Sequence, residues 1–441
     1  MHKSKRVAVI DKFVPCAEEY SITLPGSKSL SLRALFLAAL ASEMSIIHGV
    51  ADCDDTSEMI SALEIFGCRV EKDDHRHLVY GTGGRFREGK LKIEMKFSGT
   101  STRFFIALSF LRDGVTEIDG HESLRVRPNK YLIEAIQSLG ASVSPSDASG
   151  LPVSITGGAN AMKSTVKMSG DRSSQFFSAL LQIAPLLPNG IKLDVIGELV
   201  SKPYVDITIA LMKIFGVQVE RDETDSQFHV EPQTYKGTTL HIEGDASGGS
   251  YFAALATIHG VAVKFSNLGN NSRQGDYQFI KICERLGAEV TSSAETTSIR
   301  GPIGGVRELS GEIDMEDMPD VAPTLMAIAP LIPGGVKIRG LTTLRIKECD
   351  RLAVSAEHLR KLGVVVKEEY DRIEIQECRE PISHIVDLDA NNDHRMAMSF
   401  AVLASKWGNI RIVDSDSVTK TFTTFWQDLA DFGVQTRILA D

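Results

Sequence analysis

The sequence predicts an α/β protein assembled from six copies of one unit of about 73 residues. In each copy an amphipathic helix runs into a glycine and then a β-prone stretch, and the glycines are spaced by 73, 76, 71, 76 and 70 residues. Each copy also contains a second, almost wholly apolar helix. Chance recurrence of a common helix–glycine–strand junction would account for one or two copies, but not for six. The six glycines are Gly67, Gly140, Gly216, Gly287, Gly363 and Gly433.

The amphipathic helix and the strand are predicted from their hydrophobic periodicity. Leu63 and Phe66 lie at helical spacing before Gly67, and the other copies repeat this pattern. The glycine should end the helix in the left-handed conformation, which residues with a Cβ resist. The alternation from Val217 to Glu220 then predicts a strand with one buried face.

The apolar helices should be buried, because they are hydrophobic on nearly all sides. Each begins with a small or acidic residue suited to capping. Several such N-termini facing a cleft would attract an anion through their unpaired N–H groups, whereas six ordinary capped core helices remain the alternative. The predicted starts are Ser31, Ser101, Ser173, Ser250, Asp320 and Asp393.

The composition is that of a globular protein and excludes several functional classes. Hydrophobic residues make up 43% of the 441 and charged residues 24%. The longest apolar stretch near the start, 34–41, is too short to cross a membrane, and the N-terminus lacks a secretory pattern, so a cytoplasmic location is expected. The net charge of −10 argues against nucleic acid as a partner.

The six cysteines are expected to be reduced thiols. They form no CxxC pair and no zinc-like spacing with histidine, so no metal site is predicted. A nucleophilic role remains open for Cys349, because it lies within a charged motif.

Cations and hydroxyls cluster at the helix starts of the N-terminal half. The segment LPGSKSLSLRAL places Lys28 and Arg33 around the first turn of an apolar helix, which suits phosphate or carboxylate. A capped helix with two solvated cations is the alternative. The segment ESLRVRP would place Arg125 and Arg127 on one face if it is extended. The other two motifs of this half are SGTSTRFF around Arg103, and DRSSQFF with Ser173, Ser174 and Gln175.

Acids accompany the cations in the C-terminal half. Asp320 opens one apolar helix, and Asp393, His394 and Arg395 open another. In KECDR, Lys347 and Arg351 would share a face if the segment is helical, although a solvated charge lattice would have the same spacing. Together the cations and acids predict a ligand with two anionic groups that is handled by acid–base chemistry. The remaining members of this set are Glu348 and Lys420.

Taken jointly, these motifs resemble the 5-enolpyruvylshikimate-3-phosphate synthase family, whose members are also called 3-phosphoshikimate 1-carboxyvinyltransferases. The matching segments occur in the family's order over residues 5 to 430. They are LPGSKSLSLRALFLAALA, SGTSTR, ESLRVRP, SSQFFSALL, LVSKPYVDIT, EGDASGGSYF, GNNSRQGD, MPDVAPT, RIKECDRL and NDHRMAM.

The resemblance implies a two-domain inside-out α/β barrel with three βαβαββ repeats and buried parallel helices in each domain. One domain would span 25–243, and the other would combine 1–24 with 244–441, with a double crossover near 24–25 and 243–244. It also implies transfer of the enolpyruvyl group of phosphoenolpyruvate to the 5-hydroxyl of shikimate-3-phosphate, in the shikimate pathway of aromatic amino-acid biosynthesis. The small-molecule substrates would be the only partners of a monomer, with no cofactor and no membrane.

The resemblance also assigns roles to residues. Asp320 would take the proton from the 5-hydroxyl, Glu348 would donate the methyl proton, and Lys28 would contact both substrates. Shikimate-3-phosphate would be bound by Lys28, Ser29, Arg33, Ser173, Ser174, Gln175, Ser201, Tyr204, Asp320 and Lys347. Phosphoenolpyruvate would be bound by Lys28, Gly99, Thr100, Arg127, Gln175, Arg351, Arg395 and Lys420.

Three positions depart from the family's pattern, and two other functions remain as alternatives. Phe97 and Thr343 stand where asparagine is common, and Thr423 stands where proline is usual, so local affinity and the response to glyphosate-type inhibitors are open. A UDP-N-acetylglucosamine enolpyruvyl transferase would carry a reactive cysteine in the loop before its Arg-Pro motif, but residues 111–128 contain none. A non-catalytic homologue that binds phosphorylated metabolites is the second alternative.

Overall fold

The computed structural model describes residues 5–145, 148, 150–157, 163–379 and 382–439, and the chain divides into two compact units. The continuous unit is Gly26–Ile242. The discontinuous unit combines Met1–Pro25 with Glu243–Asp441. Each unit has its own hydrophobic core, with no apolar residue shared between the two cores.

The described residues form 24 short strands. They are β1 Val7–Ile10, β2 Glu19–Ile22, β3 Met44–His48, β4 Arg69–Asp73, β5 Arg76–Tyr80, β6 Leu91–Glu94, β7 Val115–Asp119, β8 Ser142–Ser144, β9 Val153–Thr156, β10 Thr165–Ser169, β11 Ile191–Ile196, β12 Glu220–Arg221, β13 Gln227–Val230, β14 Thr239–His241, β15 Ala262–Phe265, β16 Glu289–Ser292, β17 Thr297–Arg300, β18 Glu312–Asp314, β19 Val336–Arg339, β20 Val366–Glu368, β21 Arg372–Ile375, β22 Val386–Asp389, β23 Ile410–Val413 and β24 Thr436–Leu439.

The described part of the chain also contains thirteen α-helices. They are α1 Lys28–Leu40, α2 Asp54–Ile65, α3 Gly99–Leu108, α4 Glu122–Arg125, α5 Lys130–Leu139, α6 Ser174–Ile183, α7 Lys202–Ile214, α8 Ala246–His259, α9 Phe279–Arg285, α10 Ala322–Ile328, α11 Arg351–Lys361, α12 His394–Trp407 and α13 Phe425–Asp431. In this part of the chain, no helix has the length and apolar character needed to span a membrane.

The strands form six four-stranded sheets of one design, which confirms the predicted α/β fold of six repeated units. Each sheet joins one parallel pair to two antiparallel neighbours, as in β6-β7-β9-β8, where only β6 and β7 are parallel. The continuous unit holds this sheet together with β14-β3-β5-β4 and β10-β11-β13-β12. The discontinuous unit holds β16-β17-β15-β2, β18-β19-β21-β20 and β22-β23-β1-β24.

The repeat glycines end six helices in the left-handed region, as the sequence predicts. Their φ angles lie between +84° and +119°, where a Cβ would be strained. They follow α2, α5, α7, α9, α11 and α13, the more amphipathic helix of each copy.

The six apolar helices are buried, which confirms the second prediction. In α1 every residue from Leu30 to Leu40 is buried, and in α8 so is every residue from Ala246 to Ile258. Helices α8, α10 and α12 pack against one another, and α3 packs against α1 and α6. The buried helices are α1, α3, α6, α8, α10 and α12.

Several predicted helix starts were wrong by two to four residues. Helix α1 begins three residues before Ser31, and α8 begins four residues before Ser250. The capping prediction holds at Ser173 and Asp393, whose side chains accept hydrogen bonds from first-turn N–H groups, whereas α8 is capped by Asp245, which was not predicted. Helices α1 and α3 have no side-chain cap, so their first N–H groups are not consumed by a capping oxygen.

Candidate active site

Asp320 is the centre of a charged cluster in the discontinuous unit. It lies in a 3-10 turn, Pro319–Val321, directly before α10. Lys347 Nζ lies 3.2 Å from its Oδ1, Arg351 Nη1 donates to the same oxygen at 2.9 Å, and Arg395 Nη2 donates to Oδ2 at 2.8 Å. One carboxylate therefore holds three cations together.

Two further carboxylates complete this cluster. Glu348 accepts from Arg351 Nη2 at 2.8 Å and from Lys420 Nζ at 3.0 Å. Asp393 is fully buried, accepts from Arg351 Nε at 2.7 Å, and caps α12 by accepting from the backbone N–H of Arg395 at 2.9 Å. Four cations thus meet three carboxylates. These four cations can also bind the anionic groups of a ligand.

The cations decide the protonation state of Asp320. Burial opposes its ionisation, but the nearby charges of Arg395, Lys347 and Arg351 outweigh burial and hold the pKa of Asp320 well below its usual value. Burial lowers the pKa of Lys347, although Asp320 opposes this shift. Asp320 is therefore ionised across the physiological pH range, in the form that accepts a proton.

The segment KECDR is not helical, so the condition for a shared helical face is not met, although both of its cations reach the cluster. Thr342–Ile346 is a 3-10 turn, Lys347 has an extended backbone, and α11 begins only at Arg351. The two side chains meet at Asp320 because the chain turns between them, and not because they share a helical face.

Cys349 does not have the surroundings of a nucleophile. Its Sγ lies 3.6 Å from Asp393 Oδ2, and burial followed by the charge of Asp393 raises its thiol pKa far above the usual value. The thiol therefore stays protonated, and a protonated thiol is a poor nucleophile. All six cysteines are free, as the sequence predicts. In the part of the chain that the structure describes, no three metal-ligating side chains gather into a possible metal site.

A second group of predicted residues lies at helix N-termini of the continuous unit. Lys28, the first residue of α1, has its Nζ 3.2 Å from Asp55 Oδ2 on α2. Gly99 opens α3 against Arg127, since a Cβ at Gly99 would lie 2.3 Å from Arg127 Nη1. A side chain at this position would have to displace the Arg127 guanidinium, and Thr100 follows Gly99 in the same turn.

Arg103 in the first turns of α3 and Gln175 at the start of α6 connect the N-termini of these two helices. The Arg103 guanidinium donates to Gln175 Oε1, to Asn129 Oδ1 at 3.2 Å, and to the Pro128 carbonyl at 3.4 Å. Arg103 therefore holds the start of α6 against the segment that carries Arg127. At this start, Ser173 caps α6.

Arg33 is placed differently from the prediction. It is only 1% exposed, and burial lowers its pKa to about 10. Its guanidinium donates to Thr208 Oγ1 at 2.7 Å and to the backbone carbonyls of Ser29 at 3.0 Å and Tyr204 at 3.3 Å. In this structure it positions two predicted ligand residues rather than facing a ligand itself. Tyr204 and Thr208 lie on helix α7. Ser201, the residue before this helix, has a left-handed backbone with φ +54°.

The expectation that Arg125 and Arg127 share a face was wrong. Residues 122–125 form the short helix α4, so the segment is not extended. Arg125 is exposed and pairs with Asp119 at 2.7 Å, whereas Arg127 is buried.

Three partners of the predicted residues were missed from the sequence: Asp55 and Glu58 on α2, and Asp276. Asp276 is buried, accepts from Ser247 Oγ, and has its pKa raised to about 7 by burial and by Asp320. Asp55 and Glu58 lie in none of the motifs singled out above, and Asp276 ends the segment GNNSRQGD, to which no role was assigned. Each of the three contacts its partner across 27 or more residues of chain, so no sequence spacing indicates these contacts.

The comparison with protein families gives one match across nearly the whole chain. The family model described as EPSP synthase (3-phosphoshikimate 1-carboxyvinyltransferase) matches residues 18–429. Two solved structures share the fold. EPSP synthase from Acinetobacter baumannii has a TM-score of 0.80 and 22% identity, and covers 99% of this chain and 100% of its own. The enolpyruvyl transferase NikO from Streptomyces tendae has a TM-score of 0.78 and 15% identity, with 100% of both chains covered.

Curated relatives are more similar in sequence. The 3-phosphoshikimate 1-carboxyvinyltransferase of Mannheimia haemolytica is 36% identical over 430 residues, which cover 95% of this chain and 97% of the relative. The protein of the same name from Pseudoalteromonas translucida is 37% identical over 416 residues, with coverage of 93% and 96%. With the cluster around Asp320 and a family match from 18 to 429, the chain belongs to the EPSP synthase family.

Proposed function

We propose that the protein transfers the enolpyruvyl group of phosphoenolpyruvate to the 5-hydroxyl of shikimate-3-phosphate and releases phosphate. The observation that carries this proposal is the pairing of Asp320 with three cations in a member of this family. The family match does not favour transfer to UDP-N-acetylglucosamine. An enzyme that joins two anions must offset their repulsion, and a cationic cluster does so.

The reaction needs one acid and one base. Protonation of C3 of phosphoenolpyruvate makes C2 electrophilic, the 5-hydroxyl oxygen attacks C2, and the hydroxyl proton leaves. The tetrahedral intermediate then loses phosphate from C2 and a proton from C3, which restores the double bond. We assign the hydroxyl proton to Asp320 and the C3 proton to Glu348, and none of these steps calls for a metal or an organic cofactor.

The ion pairs explain how a bound substrate could change these two groups. Phosphate and carboxylate oxygens of the substrates would compete with Asp320 and Glu348 for Arg351, Arg395 and Lys420. A carboxyl group that loses its cationic partners holds a proton more readily. Anion binding would thus raise the proton affinity of Asp320 when the 5-hydroxyl must be deprotonated.

The continuous unit supplies mostly neutral donors and two cations. We assign Lys28 to both substrates, because its ammonium lies at the uncapped start of α1. The hydroxyls of Ser29, Ser173, Ser174, Ser201 and Tyr204 suit the hydroxyl and phosphate groups of shikimate-3-phosphate. The phosphoenolpyruvate residues of this unit would be Gly99, Thr100, Arg127 and Gln175.

Phosphate release tests the proposed reaction. The purified chain should release phosphate when both phosphoenolpyruvate and shikimate-3-phosphate are present, and not with either alone. Replacing shikimate-3-phosphate by UDP-N-acetylglucosamine should abolish release. Release with UDP-N-acetylglucosamine would establish the other transferase instead. Binding of shikimate-3-phosphate without any release would point to the non-catalytic homologue.

We also propose that the chain is a cytoplasmic monomer whose two units are domains of three repeats each. Each core forms within a single chain, and the free cysteines suit a reducing compartment. Sedimentation equilibrium should return the mass of one chain, 48.1 kDa, at micromolar concentration. A mass twice as large would contradict the monomer.

A further inference from the structure

One face of helix α2 carries two buried acids that contact two different helix starts. Asp55 and Glu58 lie one turn apart and are 2% and 6% exposed. Asp55 pairs with Lys28 at the start of α1. Glu58 Oε2 accepts from the backbone N–H of Ser98, the residue before α3, at 3.1 Å.

Glu58 contacts the backbone of the turn at Phe97 and Ser98, directly before α3. Its carboxyl group interacts with the N–H groups of both Phe97 and Ser98. The Ser98 N–H also lies 2.9 Å from the Met95 carbonyl, so the turn would persist without the acid but would be held less firmly. The Ser98 hydroxyl donates to Ser101 Oγ at 2.8 Å and so does not compete for this contact.

The turn that Glu58 holds leads directly into Gly99. Gly99 lies against the Arg127 guanidinium, since a Cβ at Gly99 would be 2.3 Å from Arg127 Nη1. A displacement of the Phe97–Ser98 turn by a fraction of an ångström would therefore change the spacing between Gly99, Thr100 and Arg127. These are three of the groups assigned above to phosphoenolpyruvate.

We propose that Glu58 is a positioning residue that sets the affinity for phosphoenolpyruvate by holding the Phe97–Ser98 turn, an inference that rests on the proposed function. It does not touch the substrate in this proposal. The charged groups that face it are Asp55 on its own helix and Lys96 on the turn, with Lys28 beyond Asp55. Burial and the charge of Asp55 raise its pKa to about 8, so its hold on the turn should strengthen above neutral pH.

Substitutions of Glu58 separate positioning from general packing. Glu58→Ala removes the acceptor, and we expect the KM for phosphoenolpyruvate to rise about tenfold, with kcat and the KM for shikimate-3-phosphate within about threefold of wild type. Glu58→Gln keeps one acceptor oxygen, so its KM for phosphoenolpyruvate should lie close to that of wild type. Glu64→Gln, at an exposed position of the same helix, is the matched control and should behave like wild type.

Amide hydrogen exchange gives a readout that does not need activity. In Glu58→Ala the amides of Phe97 and Ser98 should exchange at least about tenfold faster than in wild type, whereas those in the middle of α3 should not change. If the chain proves not to catalyse the transfer, this measurement still tests the contact. The proposed function and the positioning role can therefore fail separately.

The pH dependence completes the test. The ratio of the KM for phosphoenolpyruvate in Glu58→Gln to that in wild type should rise between pH 7 and pH 9, because only the wild-type group ionises there. Taking the ratio cancels the titration of the substrate. Unchanged KM and unchanged exchange in Glu58→Ala would overturn the proposal. Equal increases in both KM values, together with a lower melting temperature, would also overturn it, because they would indicate loss of packing.

Discussion

Asp320 contacts three cations, and this environment constrains how it can act as a base. Without a ligand, its depressed pKa makes it a weak proton acceptor. The proposed mechanism therefore depends on the substrates taking over Arg351 and Arg395. A variant of the same size that cannot accept a proton tests the base role.

Asp320→Asn should reduce kcat by ~10²–10⁴, the range expected for loss of a general base. Binding of shikimate-3-phosphate, measured by calorimetry, should stay within about tenfold of wild type, because the amide keeps the size of the carboxylate and one of its two acceptor oxygens. Asp314→Asn, at an exposed position paired with Arg339, is the control and should leave both values unchanged. Near-normal turnover in Asp320→Asn would remove the base role.

Lys28→Met tests the residue that is assigned to both substrates. The change should reduce turnover by at least ~10² and should destabilise the fold by about 3–5 kcal/mol, because it leaves the buried Asp55 carboxylate without its cation. The double variant Lys28→Met/Asp55→Asn should recover most of the stability but not the turnover. Chemical denaturation and phosphate release measure the two effects. Recovery of both in the double variant would show that Lys28 only neutralises Asp55.

At the scale of the elements, the periodicity of the sequence predicted many of the helices and strands. It predicted almost none of the ion pairs between them. The six glycine junctions and six buried helices follow from local patterns, because hydrophobic spacing and left-handed glycine are local properties. The observed helix starts differ from the predicted ones by up to four residues, because α1 and α3 begin without a capping side chain and α8 is capped by Asp245. The ion pair of Lys28 with Asp55 and that of Arg351 with Asp393 depend on the packing of separate helices, which no spacing encodes.

Asp393→Ala should be more damaging than the loss of an ordinary helix cap. It removes the cap of α12 and one carboxylate from the buried Arg351, so we expect a loss of about 3–5 kcal/mol in the free energy of unfolding. Asp350→Ala removes the cap of α11 together with a partly exposed ion pair to Arg345, and it should cost about 1 kcal/mol. Urea denaturation of both variants makes the comparison. Equal losses would show that the contact with Arg351 adds nothing to capping.

For the whole molecule, the sequence predicted the net charge and the presence of a buried core. It did not predict how the stability of the fold changes at acidic pH. His259 packs on Phe13 and lies 2.8 Å from Ser405 Oγ, and burial lowers its pKa to about 3. Below pH 6.5 the unfolded chain therefore binds a proton that the folded chain does not, so stability falls as the pH falls through this range. This one group should cost about 2 kcal/mol between pH 7 and pH 5.

His259→Asn removes that titration. Thermal melting of wild type and variant at pH 7 and pH 5 should show that the variant loses roughly 4–8 °C less than wild type on acidification. His75→Asn replaces an exposed histidine, and its melting temperature should fall between pH 7 and pH 5 by as much as that of wild type. An identical acid shift in all three proteins would exclude His259 as the sensor.

Strand β1 lies in the interior of its sheet, between β23 and β24, and this placement has a consequence for synthesis on the ribosome. Val7 pairs with Val413 on one side and Leu439 on the other, so β1 emerges first yet meets its neighbours only after roughly 400 more residues have been made. At ~5–20 residues per second, that is a delay of ~20–80 s. The continuous unit, by contrast, has all its strands once residue 242 has emerged. We therefore expect it to fold first, while the N-terminal segment waits as an unpaired strand that chaperones can bind.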